Sequence, residues 1–360
     1  MDRTRAFRPS EIFFTNEMRA ISELVMDFIF SFVIAIVGVI SNMLVIVVFA
    51  KQGFSESVNI SMTTIALWDF AKCLGGAMQR MAGPIKLLSK ADAESWTNIS
   101  VVIFNYLICF SSYVTSALAA YVAVERCLCV SIPFKVKWLL TPKVTLIVCI
   151  GISVVVFGSF VVIYGIYDIY WLYNPTYNTT TAFYRYNDFF YEHRGPLFEY
   201  YNLSGIIWPT VSFVVIVVST SIIVSKLREG SKFRASNADV VGKSDSGSQL
   251  SSRDRQVVKM LVVIIGVYVF NLSPRIALYM AKYFIYEFYF LREYHNLFVF
   301  VCYFLWVFDL LNGAINFFIF YKMSTSFRDT FLRLICLRKP QADSNKPVNK
   351  QSVTHTTSGV

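Results

Sequence analysis

Charge is scarce in this chain. Of its 360 residues only 16% are Asp, Glu, Lys or Arg, against about 25% in a typical soluble domain. The deficit excludes an ordinary water-solvated globule and points to lipid as the solvent. Histidine is scarcer still: His193, His295 and His355 are scattered, with no HExxH pair and no Cys/His cluster at metal-ligand spacing. GxSxG and GxxxxGK[ST] are missing too, so enzyme signatures are lacking. Cysteine is present but misplaced for an extracellular staple. Cys73, Cys109, Cys127, Cys129, Cys149, Cys302 and Cys336 fall in apolar segments or on the predicted inner side, which leaves no readable disulfide outside. The first residues hold no apolar core ahead of a small-residue cleavage site, so no cleaved signal peptide is expected. The last apolar run, 296–321, holds no lysine and so cannot carry a retinal Schiff base.

Apolar and aromatic residues fill the space that charge leaves. The chain is 56% hydrophobic, with 33 Phe, 21 Tyr and 6 Trp. A membrane helix needs about 20 mostly apolar residues, and seven runs qualify, at roughly 25–50, 59–83, 98–130, 144–167, 201–226, 256–284 and 296–321. The expected fold is therefore all-α, a seven-helix membrane bundle over 25–321, preceded by an extracellular N-terminus, 1–24. The net charge of +10 is topological and does not indicate nucleic acid. Of 33 basic residues, 20 lie in predicted inner loops and tail, 11 outside, and Lys72 and Arg275 within the membrane. Positive charge marks the inner side, so the N-terminus is expected outside the plasma membrane and the C-terminus inside. The second run is unusually polar, with Asp69, Lys72, Gln79 and Arg80, and must turn that side away from lipid.

Between the fifth and sixth runs, residues 228–255 are Ser/Gly-rich and charged, a flexible loop open to phosphorylation. The outer loop at 165–200 is rich in Tyr and Asn and is expected to cap the extracellular mouth. Asn178-Thr179-Thr180 is its glycosylation candidate, and Asn98 and Asn202 match the same pattern near helix ends. Residues 322–336 contain an amphipathic stretch with Phe327, Phe331, Leu332 and Ile335 on one side and Arg328 and Arg333 on the other, suited to the inner interface. Cys336 follows, either a palmitoylation site or a free thiol. The tail, 337–360, reads as disordered, and Ser358-Gly359-Val360 fits a PDZ partner by strand addition.

Glu125-Arg126-Cys127, at the inner end of the third run, is the most telling element. Two charges at the edge of a bilayer are costly and need a job or a partner. Asp254 lies on the same side, before the sixth run, and would pair with Arg126 when the bundle is closed. Over roughly 25–336 the chain resembles the rhodopsin-like (class A) G-protein-coupled receptors. Gly38-Val39-Ile40-Ser41-Asn42, Ala66-Leu67-Trp68-Asp69, Glu125-Arg126-Cys127, Ile132-Pro133-Phe134-Lys135, Trp208-Pro209, Ser273-Pro274 and Asn316-Phe317-Phe318-Ile319-Phe320 follow that family's order on seven helices. More narrowly, the stretches around Arg126 and Asn316 look like molluscan chemosensory and FMRFamide-type neuropeptide receptors. The chain departs from the pattern at Val101, where the family has its disulfide cysteine, at Leu272 and Val217, and at Phe317 and Phe320 in place of proline and tyrosine. The fourth run lacks the family's tryptophan.

The resemblance implies a receptor whose Glu125, Arg126, Asp254, Asn316 and Phe320 form the activation switch. It also implies a heterotrimeric G protein and arrestin as inner partners. Asp69, Asn42, Thr115, Asn312 and Asn316 make a deep polar group, in which a sodium ion would be implied by the resemblance. The residues alone allow the alternative that Lys72, almost one turn from Asp69, supplies the counter-charge. In the outer half, Arg275 and Asp309 either neutralise each other or leave Arg275, with Arg80 and Lys282, to anchor an acidic ligand. Tyr279, Tyr113, Asn105 and Gln79 are expected around the same cavity or in its packing. The third run has no acid in its outer half, where the family's amine receptors carry one. A peptide or small acidic ligand is therefore expected. A secondary transporter is the alternative, though no internal repeat supports it.

Overall fold

The computed structural model describes residues 14–238, 252–289 and 292–335. The expected start of the extracellular tail, the middle of the third inner loop, Cys336, the tail 337–360 and its PDZ-type end lie outside these residues. Seven long helices form the bundle: α1 Asn16–Gln52, α2 Ser57–Arg80, α3 Lys90–Ser131, α4 Pro142–Gly158, α5 Asp188–Ala238, α6 Ser252–Phe284 and α7 His295–Met323. A short helix, α8 Thr325–Leu334, follows. By length and composition, six of the seven can cross a membrane among the described residues. The exception is α2, whose polar side is turned inward: Asp69, Lys72 and Arg80 are all buried. That is the only arrangement in which so polar a helix survives in lipid.

The helices exceed the expected apolar runs. α1 starts at Asn16, so residues 16–24 belong to the helix and not to a loose N-terminus. Its stretch Glu23–Phe30 is π-helical. The start of the chain is strapped to α7, where Asn296 donates to the Phe14 carbonyl at 3.0 Å and to Asn16 Oδ1 at 3.1 Å. α5 runs helically to Ala238 and α6 resumes at Ser252, so both ends of the expected flexible loop are helix. A Lys226–Glu229 pair at 2.9 Å supports that extension, the i,i+3 spacing placing the two side chains together. Pro209 and Pro274 lie inside α5 and α6, each removing one backbone hydrogen bond.

The outer loop at 165–200 departs most from expectation. It holds a hairpin, β1 Tyr167–Asn174 and β2 Thr179–Tyr186, antiparallel from Tyr167↔Tyr186 to Asn174↔Thr179, and then the first turns of α5. Aromatic and β-branched residues favour strands, and here they pair across them. Tyr167 stacks on Tyr186 at 5.0 Å and Tyr170 on Phe183 at 6.1 Å. The turn includes Asn178 at φ 52°, a left-handed conformation that asparagine tolerates better than most residues.

At the opposite end of the bundle, Ser324 caps α8 by accepting from the Phe327 amide at 3.2 Å. Phe327 is buried among Phe49, Phe320 and Phe317, with ring centroids 5.4 to 5.9 Å away. Phe331 packs on Phe317 and Tyr321. α8 therefore docks through its aromatic face against α1 and α7.

Candidate functional site

A cavity of about 480 Å³ opens in the half of the bundle that carries the hairpin, walled by α1, α2, α3, α5, α6, α7 and the hairpin itself. Arg275, Asp309, Tyr279, Lys282, Gln79 and Asn105 line it. Its floor is a polar knot. Arg275 is ion-paired with Asp309, its guanidinium lies 5.7 Å from the centre of the Tyr113 ring, and Tyr113 and Tyr279 share a 2.5 Å hydroxyl bond. Gly205 of α5 makes room for this knot, since a Cβ there would stand 2.6 Å from Tyr279 Cε1. Arg80, expected in the cavity, is instead tied to α1. It pairs with the Asp27 carboxylate, donates from Nε to the Asp27 carbonyl at 2.7 Å, and lies over Trp306 at 5.3 Å. Asp27 sits in the π-helical stretch, a form often found at functional sites. Arg80 and Tyr113 thus support the wall and floor without being lining residues.

Lys282 is the exception among these cations. It makes no ion pair among the described residues, and its ammonium rests 4.9 Å from the Tyr289 ring, 5.0 Å from Tyr279 and 5.9 Å from Tyr201. Aromatic faces stabilise a cation by about 0.5–2 kcal/mol, less than a carboxylate in the same place. A partner for an anion is therefore held in the cavity wall, partly compensated.

The roof is held without a disulfide among the described residues. Ala182 of β2 is fixed to α3 at both backbone groups: its amide donates to Ser95 Oγ at 3.1 Å, and its carbonyl accepts from Asn98 Nδ2 at 2.8 Å. A second tie joins the Tyr106 and Tyr167 hydroxyls at 2.6 Å. Asn98 is thereby occupied by the hairpin and Asn202 lies within α5, whereas Asn178 is exposed at the hairpin turn, as a glycan acceptor needs.

Deeper in the bundle, Asp69 is 0% and Lys72 1% exposed. Lys72 Nζ lies 2.6 Å from Asp69 Oδ1, and Asn316 Nδ2 donates to Oδ2 at 3.0 Å. The residues expected around sodium do not fit it. Each Asp69 oxygen already has a partner, and the ammonium holds the place of the cation. Asn42 is turned toward the Gly38 and Gly313 carbonyls, at 2.9 and 2.8 Å, Thr115 toward Ser112, and Asn312 toward Asn271.

At the end of the bundle away from the hairpin, Glu125 is fully buried. Its Oε1 accepts from Arg126 Nη2 at 2.7 Å and Ser57 Oγ at 2.6 Å, and its Oε2 accepts from Ser61 Oγ at 3.1 Å. The pair is thus docked onto α2 by two hydroxyls that sequence reading did not single out. Residue 254 lies in the first turn of α6, but the Asp254 side chain lies outside the described residues, as does any contact it makes with Arg126. Phe320 packs against Phe49 at 5.3 Å.

The sequence profile of the family described as "Serpentine type 7TM GPCR chemoreceptor Srw" matches residues 29–338. This chain belongs to that family. No curated protein sequence matches it. The Srw assignment makes it a multi-pass membrane protein of a receptor family and sets the transporter alternative aside. It agrees with the G-protein-coupled-receptor part of the resemblance at a coarser level, naming neither the rhodopsin-like class nor a neuropeptide ligand. What sequence reading missed in this Srw receptor is Asp27, Ser57, Ser61 and the Ser95/Asn98 clamp. Asp27 had a visible signal, an acid inside an apolar run. The serines had none.

Proposed function

We propose that this receptor sits in the plasma membrane, N-terminus outside, and transmits the binding of a small acidic chemosensory ligand to a heterotrimeric G protein inside. One observation carries the ligand class. Arg275 is neutralised by Asp309 and Arg80 by Asp27, while Lys282 lines the cavity without a carboxylate among the described residues. The anchor read from sequence, Arg275, gives way to Lys282, and Arg275 shapes the floor. Ligand contact with α6 would favour an inner arrangement in which Arg126 leaves Glu125, by differential affinity for the two states. In the resting state Asp254 would hold Arg126 as well, as the rhodopsin-like resemblance implies.

The test is G-protein activation in cells at matched surface expression, with a panel of small carboxylates and amidated peptides. Lys282→Met is expected to raise the half-maximal concentration of an acidic agonist about 10- to 100-fold, the worth of one charge-assisted hydrogen bond. Unchanged potency would remove Lys282 as the anchor. Arg126→Ala is expected to abolish the signal while agonist binding persists, and a full signal from that variant would overturn the switch assignment. A peptide ligand is the second reading. It is favoured by an adjoining cavity of about 860 Å³ between the outer ends of α1, α2 and α3, which shares Asp27, Gln79, Val101 and Tyr303 with the central one.

A further inference from the structure

A separate crevice of about 450 Å³ lies between the outer ends of α5 and α6. One stripe on each helix walls it: Glu199, Asn202, Leu203 and Ile206 on α5, and Tyr279, Lys282 and Tyr283 on α6, continued by Tyr286. The i,i+3/i+4 spacing aligns each stripe with its helix axis, so the crevice runs along the bundle. α5 descends and α6 ascends. Ile206 and Tyr279 are therefore at its deep end, with Phe198, Tyr286 and Arg292 at its rim.

The crevice faces away from the bundle centre. Leu203 is 55%, Tyr283 72% and Tyr286 69% exposed, and on a membrane-spanning chain such apolar and aromatic surface at a helix's outer end meets lipid and headgroups. Yet its inner wall is shared, for Tyr279, Lys282 and Tyr289 line both the crevice and the central cavity. Lys282 stands between a lipid-facing opening and the ligand chamber. A second cation marks the rim: Arg292 lies 3.6 Å over the Tyr286 ring and donates to the Tyr286 carbonyl at 2.6 Å. Glu199 opposes them only from an exposed rim position, and it forms no ion pair with Lys282 among the described residues.

Cation and chain-binding surface are stacked in a definite order. The charges sit at and above the level of Lys282, and Leu203 and Ile206 continue below it toward the middle of the membrane. An amphipath in the outer leaflet is oriented the same way, head outward and chain inward. We propose that the crevice is a lateral binding site for an amphipathic anion, with its head group on Lys282 and an acyl chain along Leu203 and Ile206. This rests on the acid-binding role given to Lys282 and on the outward placement of this end of the bundle. The same chemistry is offered by a fatty carboxylate and by an anionic bilayer lipid.

The experiment uses the full chain in phosphatidylcholine nanodiscs, with no G protein present. It is labelled with a diazirine-bearing hexadecanoate or the corresponding hexadecanol, and the sites are mapped by mass spectrometry. The acid is expected to label the Asn202–Ile206 and Tyr283–Tyr286 segments about tenfold more than the alcohol, the factor that one modest charge contact supplies. Lys282→Gln should bring the acid down to the level of the alcohol, and Leu203→Trp, which fills the chain site and keeps the cation, should lower labelling by the acid. Adding phosphatidylserine separates the sources: competition assigns the site to a resident anionic lipid, and none assigns it to a free acid. Equal labelling by acid and alcohol would mean ordinary lipid contact and overturn the proposal, as would labelling that ignores Lys282→Gln in a variant of unchanged thermal stability. Because the readout is covalent capture, loss of labelling beside intact activation by a short carboxylate sinks the lateral site and leaves the receptor reading standing. Labelling without activation does the reverse.

Discussion

Lys72→Met is expected to cost the fold about 3–5 kcal/mol, the range for removing one partner of a buried ion pair. The substitution conserves volume and apolar stem, so the loss isolates the charge. It leaves the Asp69 carboxylate in a site with no solvent access, with only the Asn316 amide to satisfy it. The carboxylate must then take up a proton or draw water into the bundle, and both are unfavourable. The companion variant, Asp69→Asn with Lys72→Met, removes both charges and is expected to recover most of the stability, since neither side chain then owes the desolvation of a charge. Thermal unfolding of the purified receptor in nanodiscs reads both. A single variant as stable as the parent, or a double variant no better than the single, would show that the pair does not carry this stability. Gly313 belongs to the same device. A Cβ there would come within 2.9 Å of Lys72 Cε, so the lysine depends on a helix-seven position without a side chain.

The second large effect belongs to the roof. Ser95→Ala with Asn98→Ala is expected to weaken agonist binding at least tenfold, whereas dithiothreitol leaves binding by the parent unchanged. The double variant leaves the amide and carbonyl of a buried residue, Ala182, without partners, at about 1–3 kcal/mol for each group. The hairpin would then ride free of α3, and Tyr184, its contribution to the cavity wall, would lose its place. Binding measured with a labelled agonist, with and without reductant, separates the cases. Sensitivity of the parent to reductant would show that the roof is covalently held, and indifference of the double variant would show that the clamp is redundant.

The seven-helix plan was legible because lipid punishes alternatives: a run long enough and apolar enough has few options but a helix. Charges inside such runs were legible for the same reason. Arg275 and Asp309, Asp69 and Lys72, and Glu125 and Arg126 each stood out as costly, and each pair meets in the structure. Which cation takes which acid was harder. Arg80 was read as a ligand contact because its partner, Asp27, lies 53 positions away on a helix whose π-helical turn presents both its carbonyl and its carboxylate, and no local pattern announces a π turn. The hairpin was hidden by composition, since tyrosine and asparagine suit loops and strands alike until a register pairs them. Ser95 had no signal at all, and Asn98 carried only a glycosylation pattern that pointed elsewhere. A serine that grips a distant backbone amide looks the same in sequence as one that faces lipid.

The tethered ammonium beside Asp69 also bears on the fluid around the cell. An ion drawn from solution fills its place in proportion to its concentration and stabilises accordingly. Lys72 is supplied by the chain itself, one to each Asp69, whatever the bath contains. The charge balance at Asp69 is therefore expected not to follow the salt concentration of the bath.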